Sequence, residues 1–329
     1  MIEKNARLKE IAYELKLSVN TVSRALRDCS DISKKTKERV LQKAIELGYM
    51  PNSVSQAIKR DEKKLIAILI NNFKNLFFTC MYERFAKAFK EENVDFTIIY
   101  EDEEKVSEDT IKQCINQRVD GIITFYEPDS NIINLARYNN ITLVYLGRCA
   151  EDVDINQVYT DDEQGGILAA NYLINYHNLT NFLYIGYSNI PNSNVRFEKF
   201  KETIENINPN AVVNYINYEQ GMELDILKYA KNGSLGFFGF NDELVYNVIS
   251  DMNLIVPSIR KVFPKLHIVG FDSLATNING LTDLTSICFD FNLMCSESVK
   301  ILIDSFKNKE FNIKKVVIPV SLHQRIYFN

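Results

Sequence analysis

The first residues of this 329-residue chain with an evident chemical use lie close together near position 20. Four polar or cationic side chains follow Ser18 at short intervals, and they are Asn20, Thr21, Ser23 and Arg24. Amide, hydroxyl and guanidinium groups make the hydrogen bonds by which a protein contacts base edges and phosphates of DNA. The same run also fits an ordinary helical hairpin with a solvated polar face, and these residues alone leave both interpretations open.

Two short helices joined by a tight turn would hold these side chains on an outer surface. Apolar residues recur three and four positions apart, which places them on one face of each helix. The inward faces are formed by Leu8, Ile11, Ala12 and Leu15 in the first helix and by Val19, Val22, Ala25 and Leu26 in the second. Ser18 is expected to cap the second helix, because its hydroxyl can accept from free N–H groups of the first turn. The pattern predicts a helix-turn-helix.

A third helix is predicted over 33–47, and Gly48 ends it. Its inner side is expected to carry Val40, Leu41, Ala44, Ile45 and Leu47. Tyr49 is expected to fill the small core of the three helices. Residues 50–64 have the composition of a linker, although apolar residues give its first half one helical face.

Charge is unevenly distributed along the chain. Residues 1–64 contain 15 Lys and Arg against 9 Asp and Glu, and the whole chain has a net charge of -5, so residues 65–329 carry -11. A basic segment on an acidic body is expected of a nucleic-acid binder whose body stays away from the phosphates. A chain of this length, 46% hydrophobic and 25% charged, is expected to form two or three domains.

Several classes of protein are disfavoured. The six cysteines form no C-x-x-C pair and the three histidines lie far apart in sequence, so neither a disulfide framework nor a metal site is expected. The first ten residues include charges within the first four positions and contain no apolar run of signal-peptide length, which predicts a cytoplasmic protein without a membrane anchor. No G-x-S-x-G, H-E-x-x-H or Walker sequence occurs, so we assign no catalytic residue and no cofactor and do not expect an enzyme.

From residue 65 onward, short apolar runs alternate with helical patterns. The predicted strands are 65–70, 95–100, 120–125 and 142–147, and after the rhythm restarts they are 182–187, 212–216, 235–240 and 265–271. These strands are continuous apolar runs without alternation of apolar and polar residues, and a helix separates each from the next. Such a pattern indicates parallel sheets that are covered by helices on both faces. Two successive doubly wound sets without a glycine-rich phosphate loop predict two lobes with a ligand at the carboxyl ends of their strands.

The segments SVNTVSRALRD and KTKERVLQKAIELGYMPN resemble the DNA-binding signature of the LacI/GalR family of bacterial transcription repressors, and the resemblance runs nearly end to end. It implies a three-helix helix-turn-helix head, a hinge helix and a two-lobed body like that of periplasmic binding proteins. The family usually has a glycine in the turn where this chain has Lys16. This lysine must accept the backbone geometry of the turn, for which a positive φ is one option, at a cost of about 1 kcal/mol.

The resemblance also implies the domain limits. They are 1–49 for the head, 50–64 for the hinge helix and linker, 65–160 with about 292–320 for the N-terminal lobe, and 161–291 with about 321–329 for the C-terminal lobe. A helix near 292–307 and a strand near 315–320 are expected to return to the N-terminal lobe.

The DNA contacts divide into three groups. Base reading is assigned to Val19, Asn20 and Arg24, and phosphate contacts to Ser18, Thr21 and Ser23. In the family the hinge helix forms on operator DNA and wedges an apolar side chain into the minor groove, and Ile58 stands at that position here. Asn52 and Ala57 are also assigned to DNA binding. A flexible tether is the alternative interpretation of this segment.

Effector-binding residues are inferred from the resemblance and from their positions at predicted strand ends. They are Asn75, Phe77, Phe78, Arg148, Asp161, Arg196, Asn241, Asp242, Asp272 and Phe289. Arginine, amide and carboxylate groups beside aromatic rings suit a polyhydroxylated ligand, so a sugar is the expected effector. The three aspartates could instead cap helices or turns, and each of Phe77 and Phe78 could belong to the core.

Two departures from the family bear on the identity of the ligand. Gly147 stands where many sugar-responsive members have an aspartate, and Phe289 stands where many have a glutamine. Both changes remove polar partners, so no specific sugar is carried over from the family. Arg148 and Arg196 leave an anionic effector open.

These features together predict a sequence-specific transcriptional regulator that acts as a homodimer. We expect a repressor of carbohydrate-utilisation genes whose affinity for double-stranded operator DNA is controlled by a sugar or sugar derivative bound between the lobes. The alternative is a cytoplasmic sugar-binding or sugar-modifying protein with an incidental helix-turn-helix.

Overall fold

The computed structural model of the protein describes most of the chain. The described residues are 2–26, 29–47, 63–72, 74–101, 105–150, 153–177, 179–219, 222, 226–229, 234–255, 265–278, 284–308 and 313–325. The chain divides into two compact units, which are Met1–Lys64 with Asn93–Asp95 and Leu65–Glu92 with Phe96–Asn329. We call residues 2–47 the head and the residues from Leu65 onward the body. The predicted hinge residues Asn52, Ala57 and Ile58, and also Gly48 and Tyr49, lie outside the described residues.

The described part of the head contains three helices, α1 (Ile2–Leu15), α2 (Val19–Leu26) and α3 (Lys34–Glu46). Their core is formed by Ile11, Ala12, Val22, Ala25, Val40 and Ala44, and Leu8, Leu15, Leu17, Leu26, Ile32 and Leu47 pack against it. Ser18 caps α2, because its Oγ accepts a hydrogen bond from the Thr21 N–H at 2.9 Å. The predicted helix-turn-helix and its cap are therefore confirmed.

The turn between α1 and α2 has the strained backbone that the sequence suggested. Lys16 has a φ of 53°, in the left-handed region that favours glycine. The Leu17 N–H donates to the Ala12 carbonyl at 2.9 Å, which satisfies one of the last acceptors of α1. One prediction for α3 is wrong: Leu41 is 45% exposed. It follows Val40, and one residue along a helix rotates the side chain by about 100°, away from the buried face.

The N-terminal lobe of the body is a parallel sheet covered by helices. In chain order it contains β1 (Leu65–Ile70), α4 (Leu76–Glu91), β2 (Asp95–Tyr100), α5 (Glu108–Asn116), β3 (Gly121–Thr124), α6 (Ser130–Tyr138), β4 (Thr142–Gly147) and β5 (Asn156–Thr160). The strand order is β11-β5-β4-β3-β1-β2, where β11 is Lys315–Ile318. Every residue of β1 is buried, as a strand covered on both faces requires.

The C-terminal lobe repeats this arrangement. It contains α7 (Asp162–His177), β6 (Asn181–Gly186), α8 (Pro191–Ile207), β7 (Val212–Asn217), a 3-10 turn (Ile226–Tyr229), β8 (Ser234–Gly239), α9 (Asp242–Ile255), β9 (Lys265–Phe271), α10 (Leu274–Asn277) and β10 (Ser286–Phe289). The strand order is β12-β10-β9-β8-β6-β7, where β12 (Val320–His323) runs antiparallel to β10. The predicted two-lobed, doubly wound body is confirmed.

The end of the described chain joins both lobes. α11 (Phe291–Asn308) packs against α4, β4 and β5 of the N-terminal lobe. The strand predicted near 315–320 returns to the N-terminal lobe as β11, but it ends at Ile318, before Pro319. β11 pairs with β5, whereas β12 pairs with β10 in the other sheet. No helix among the described residues is long and apolar enough to cross a membrane.

Candidate effector site and DNA-binding face

A cavity of about 230 Å³ lies between the two lobes of the body, where strands of both sheets end. It is lined by Asn75, Phe77, Phe78, Phe125, Leu146, Gly147, Thr160, Ile190, Asn192, Arg196, Phe240, Asn241, Asp272, Phe289 and Met294. A second, more polar space of about 1030 Å³ shares part of this lining and also includes Glu127, Tyr145, Arg148, Tyr187, Glu243 and Asp251. We call the two spaces the inner and the outer chamber. Together they have the size and mixed lining of a small-molecule site.

The structure brings eight of the ten predicted effector residues to these chambers. Asn75, Phe77, Phe78, Arg196, Asn241, Asp272 and Phe289 line the inner chamber, and Arg148 lines the outer one. Asn75 and Asn241 also hold the backbone at the entrances to α4 and α9. Their Oδ1 atoms each accept from a first-turn N–H at 2.9 Å, which leaves their amide N–H groups as possible donors to a ligand.

Asp161 and Asp242 do not line either chamber. The Asp161 Oδ1 accepts from the Gln164 N–H at 3.0 Å and so caps α7. The Asp242 carboxylate is fully buried and accepts from the Leu274 N–H and the Ser286 hydroxyl, both at 2.7 Å. Burial raises the pKa of Asp242 to about 7. Both carboxylates therefore have structural partners, as the capping alternative anticipated.

Aromatic rings form one wall of the inner chamber. The rings of Phe77 and Phe78 both contact Phe125 edge to face, with centroids 5.9 and 4.9 Å away. Phe289 stacks on Phe291 with a centroid distance of 4.4 Å and lies 6.5 Å from Phe77. Ring faces of this kind cover apolar surfaces of a ligand. Phe77 and Phe78 are thus part of a packed aromatic cluster and part of the cavity lining at once.

Arg196 is held in place before any ligand arrives. Its Nε and one terminal nitrogen both contact Asp162 Oδ1 at 2.7 Å, and the other terminal nitrogen donates to the Phe240 carbonyl at 2.7 Å. The guanidinium also lies over the rings of Phe271 and Phe240, at 3.4 and 4.8 Å from their centroids. The side chain is only 5% exposed. Its remaining N–H groups can donate to ligand hydroxyls in a fixed direction.

Asp272 has a backbone conformation that is rare for residues other than glycine. Its φ is 95°, and that of Ser273 is 52°, so two consecutive non-glycine residues occupy strained conformations. Asp272 is 7% exposed, and burial raises the pKa of its carboxyl well above the ordinary value, while the nearby Arg196 opposes that rise. A strained backbone of this kind persists only where the surrounding contacts hold it in place. Here it belongs to a residue whose carboxyl lines the inner chamber.

Several lining residues escaped the sequence analysis. Phe125 and Glu127 follow β3, Thr160 ends β5, Asn192 lies in the first turn of α8, and Phe240 follows β8. The rule that ligands lie at the carboxyl ends of parallel strands selects three of these five residues, Phe125, Glu127 and Phe240. The rule does not select Thr160, because the polar residues of β5 give the sequence NQVYT no strand signal.

The head presents the predicted DNA-binding residues on the outside of α2. Val19 is 39% exposed, so its prediction as part of the inward face of the second helix is wrong, whereas its prediction as an outward contact residue fits this exposure. Asn20 and Arg24 are also exposed. The Ser18 and Thr21 hydroxyls share a hydrogen bond at 2.8 Å, so their position is fixed. Arg24 forms an ion pair with Asp31 at 2.6 Å. Exposed pairs of this kind are weak, so Arg24 can exchange Asp31 for another partner at little cost.

Comparisons with known proteins agree with this architecture. The family model for bacterial regulatory proteins of the lacI family matches residues 7–52. The model for periplasmic binding proteins and the sugar-binding domain of the LacI family matches residues 62–180. The chain belongs to the LacI family. It is therefore a bacterial transcriptional regulator and not an enzyme.

Relatives of this LacI-family chain span nearly its whole length. The ribose operon repressor of Halalkalibacterium halodurans is 26% identical over 322 residues, covering 96% of this chain and 95% of that protein. A crystal structure of the lac repressor dimer bound to operator and the anti-inducer ONPF superposes with a TM-score of 0.71 at 19% identity, over 96% of both chains. A LacI-family regulator from Enterococcus faecium with bound ribose superposes with a TM-score of 0.65 at 20% identity, over 80% of this chain and 97% of that one. The two structural matches support the fold.

Proposed function

We propose that the protein is a sequence-specific operator-binding repressor whose DNA affinity responds to a sugar bound between the lobes of its body. The observation that carries this proposal is the presence in one chain of an exposed polar α2 and a separate two-lobed unit with a preformed cavity. The ribose operon repressor, with which the chain aligns over nearly its full length, supports a carbohydrate-utilisation operon as the target. Since its operator lies on bacterial DNA, we place the protein in the cytoplasm.

DNA recognition is proposed to run through α2. A recognition helix enters the major groove with its N-terminal residues towards the base edges, which suits Val19 and Asn20 at the start of α2. The Val19 methyl groups can contact a thymine methyl, the Asn20 amide can pair with adenine, and Arg24 can pair with guanine. Ser18, Thr21 and Ser23 are proposed to contact phosphates. Two heads must reach half-sites about one helical turn apart, so we propose a two-fold symmetric dimer.

Sugar recognition is proposed to use the inner chamber. The amide groups of Asn75 and Asn241, the guanidinium of Arg196 and the carboxyl of Asp272 offer donors and acceptors for hydroxyl groups. The aromatic wall can cover the C–H face of a sugar ring. Asp161 and Asp242 act on this site only through the loops that they hold.

Coupling between sugar binding and operator binding requires a structural element that has two alternative arrangements. One direct contact between the lobes is available for this: Arg84 of α4 donates to Asn277 Oδ1 of α10 at 2.6 Å. Arg84 also lies 5.2 Å from the centre of the Phe291 ring, which stacks on the cavity residue Phe289. We propose that a ligand which moves Phe289 changes this contact and, with it, the relative position of the lobes.

Arg24→Ala tests the DNA half of the proposal. Operator sequences are first selected from random duplexes, and affinities for operator and for random DNA are then compared by fluorescence anisotropy. Loss of one bidentate base contact should cost roughly 1–3 kcal/mol on operator and relax the preference at one base pair. Arg39→Ala removes the same charge from the exposed side of α3 and is the matched control. Equal weakening on both DNAs would show that Arg24 contacts only phosphate.

A further inference from the structure

The charge of the effector can be deduced from the partners of the two arginines at the cavity. Arg196 has its charge balanced by Asp162, with two nitrogens on one carboxylate oxygen at 2.7 Å. Both side chains are almost fully buried, 5% exposed for Arg196 and 7% for Asp162. Loss of one partner from a buried ion pair strongly destabilises the folded protein, because it leaves the other charge buried without compensation. An anionic ligand that accepted from the remaining N–H groups of Arg196 would share this one positive charge with the buried Asp162 carboxylate, and the two negative charges would repel each other.

Arg148 in the outer chamber is also paired. Its guanidinium forms an ion pair with Glu127, which follows β3 and lines the same chamber. Both side chains are partly buried, 27% exposed for Arg148 and 33% for Glu127. A phosphate or carboxylate group that approached Arg148 would also approach the Glu127 carboxylate. Like charges at such short range repel, so the pair offers an anion little attraction.

The other charged groups of the chambers are acidic. Among the described lining residues these are Asp272 in the inner chamber and Glu243 and Asp251 in the outer one. Burial raises the pKa of Asp272 and of Glu243, so these carboxyls move towards their neutral forms. In either protonation state they add no positive charge. Within the described lining, therefore, no cation is left over to balance an anionic ligand.

The remaining polar groups are neutral. Asparagine amides come from Asn71, Asn72, Asn75, Asn189, Asn192, Asn241 and Asn247. Tyr145 and Tyr187 add phenol groups, and burial raises the pKa of each phenol to about 12, so both keep their protons at neutral pH. Amides and phenols both donate to and accept from hydroxyl groups without a net charge.

We infer that the effector is an uncharged polyhydroxylated molecule, a sugar or polyol without a phosphate or carboxylate group, and that Glu127 is the residue that excludes anions. This inference rests on the proposed function of the cavity as the effector site. It decides against the anionic effector that Arg148 and Arg196 left open in the sequence. It also makes Glu127 a specificity determinant.

Inorganic phosphate is the probe that tests the role of Glu127. Thermal stability of the full-length protein is titrated with phosphate at constant ionic strength, for the wild type and for Glu127→Gln. We expect a saturable stabilisation in Glu127→Gln with a midpoint at least tenfold lower than in the wild type, because Arg148 has lost its partner. Adding Arg148→Gln to Glu127→Gln should abolish this tighter binding of phosphate. Glu163→Gln, which removes an equal charge from a mostly exposed position of α7, should behave as the wild type.

Paired sugars provide the second arm of the test. Ribose is compared with ribose 5-phosphate and glucose with glucose 6-phosphate, and each ester should bind at least tenfold more weakly than its parent. A phosphate ester that binds the wild type more tightly than its parent would overturn the inference. So would a phosphate midpoint that is the same in the wild type and in Glu127→Gln. Operator binding, measured on the same samples, reports separately on the proposed function, because phosphate exclusion does not depend on the head.

Discussion

The Arg196–Asp162 pair allows a quantitative test of how the site is held. Arg196→Met removes two hydrogen bonds of 2.7 Å, one further ion-pair contact of 2.7 Å and two ring contacts, and it leaves the Asp162 carboxyl buried without its cation. Removal of one partner from a buried pair costs about 3–5 kcal/mol. Adding Asp162→Asn takes away the uncompensated charge, so the double variant should be more stable than Arg196→Met alone by about 1–3 kcal/mol.

Urea unfolding at pH 7 measures this difference. Near-UV circular dichroism of tyrosine reports on the body, because of all tyrosines in the chain only Tyr13 and Tyr49 precede residue 65. The matched control is Arg137→Met with Asp154→Asn, an ion pair whose side chains are 37% and 73% exposed. Exposed pairs contribute about 0–1 kcal/mol, so both control variants should unfold nearly as the wild type does. The reasoning is refuted if the double variant is as unstable as the sum of its single variants.

Two further predictions concern stability. Asp242→Asn should flatten the pH dependence of unfolding. Burial raises the pKa of Asp242 to about 7, so its stabilising contribution is fully present below the ordinary carboxyl pKa and is lost as pH rises through 7; of about 4 kcal/mol in total, about 3 kcal/mol is lost between pH 5 and pH 8. Unfolding free energies at pH 5 and pH 8 measure this, with the exposed Asp154→Asn as control, and an unchanged slope would mean that Asp242 is ionised throughout. Lys16→Gly should stabilise the head by about 1 kcal/mol, because the φ of 53° favours glycine. Lys9→Gly, inside α1, is the control and should instead destabilise the head by about 1 kcal/mol. The unfolding transition of the head, followed by far-UV circular dichroism, measures both changes. If Lys16→Gly did not stabilise the head, Lys16 would not be strained.

Much of the fold was predictable because burial on both faces leaves a strong signal. Each of the eight apolar runs predicted as strands in the two doubly wound sets forms a strand, including the fully buried LIAILI of β1. β5 was missed because NQVYT carries polar residues. Gln157 is nevertheless buried there, where its amide exchanges two hydrogen bonds with the backbone of Ala150. A polar side chain with internal partners cannot be distinguished by sequence from one that faces water.

The same limit applies to the candidate site. Asp242 and Asp272 are both aspartates near strand ends of one lobe, and both are buried. Only the structure shows that Asp242 accepts from Leu274 and Ser286, whereas Asp272 lines the inner chamber. The sequence likewise showed two arginines but not that Asp162 and Glu127 are their partners. Since these partners lie 34 and 21 positions away along the chain, the effective charge of the site depends on the fold.

The measurement that tests the central claim most directly is the coupling between sugar and operator. A thermal-shift screen of neutral sugars identifies an effector, and operator affinity is then measured by anisotropy with and without it. Our account predicts a change of at least about fivefold in operator affinity and an equal change in sugar affinity when operator is present, because coupling free energies are reciprocal. A sugar that binds the inner chamber, loses affinity on Arg196→Met and yet leaves operator affinity unchanged would contradict it.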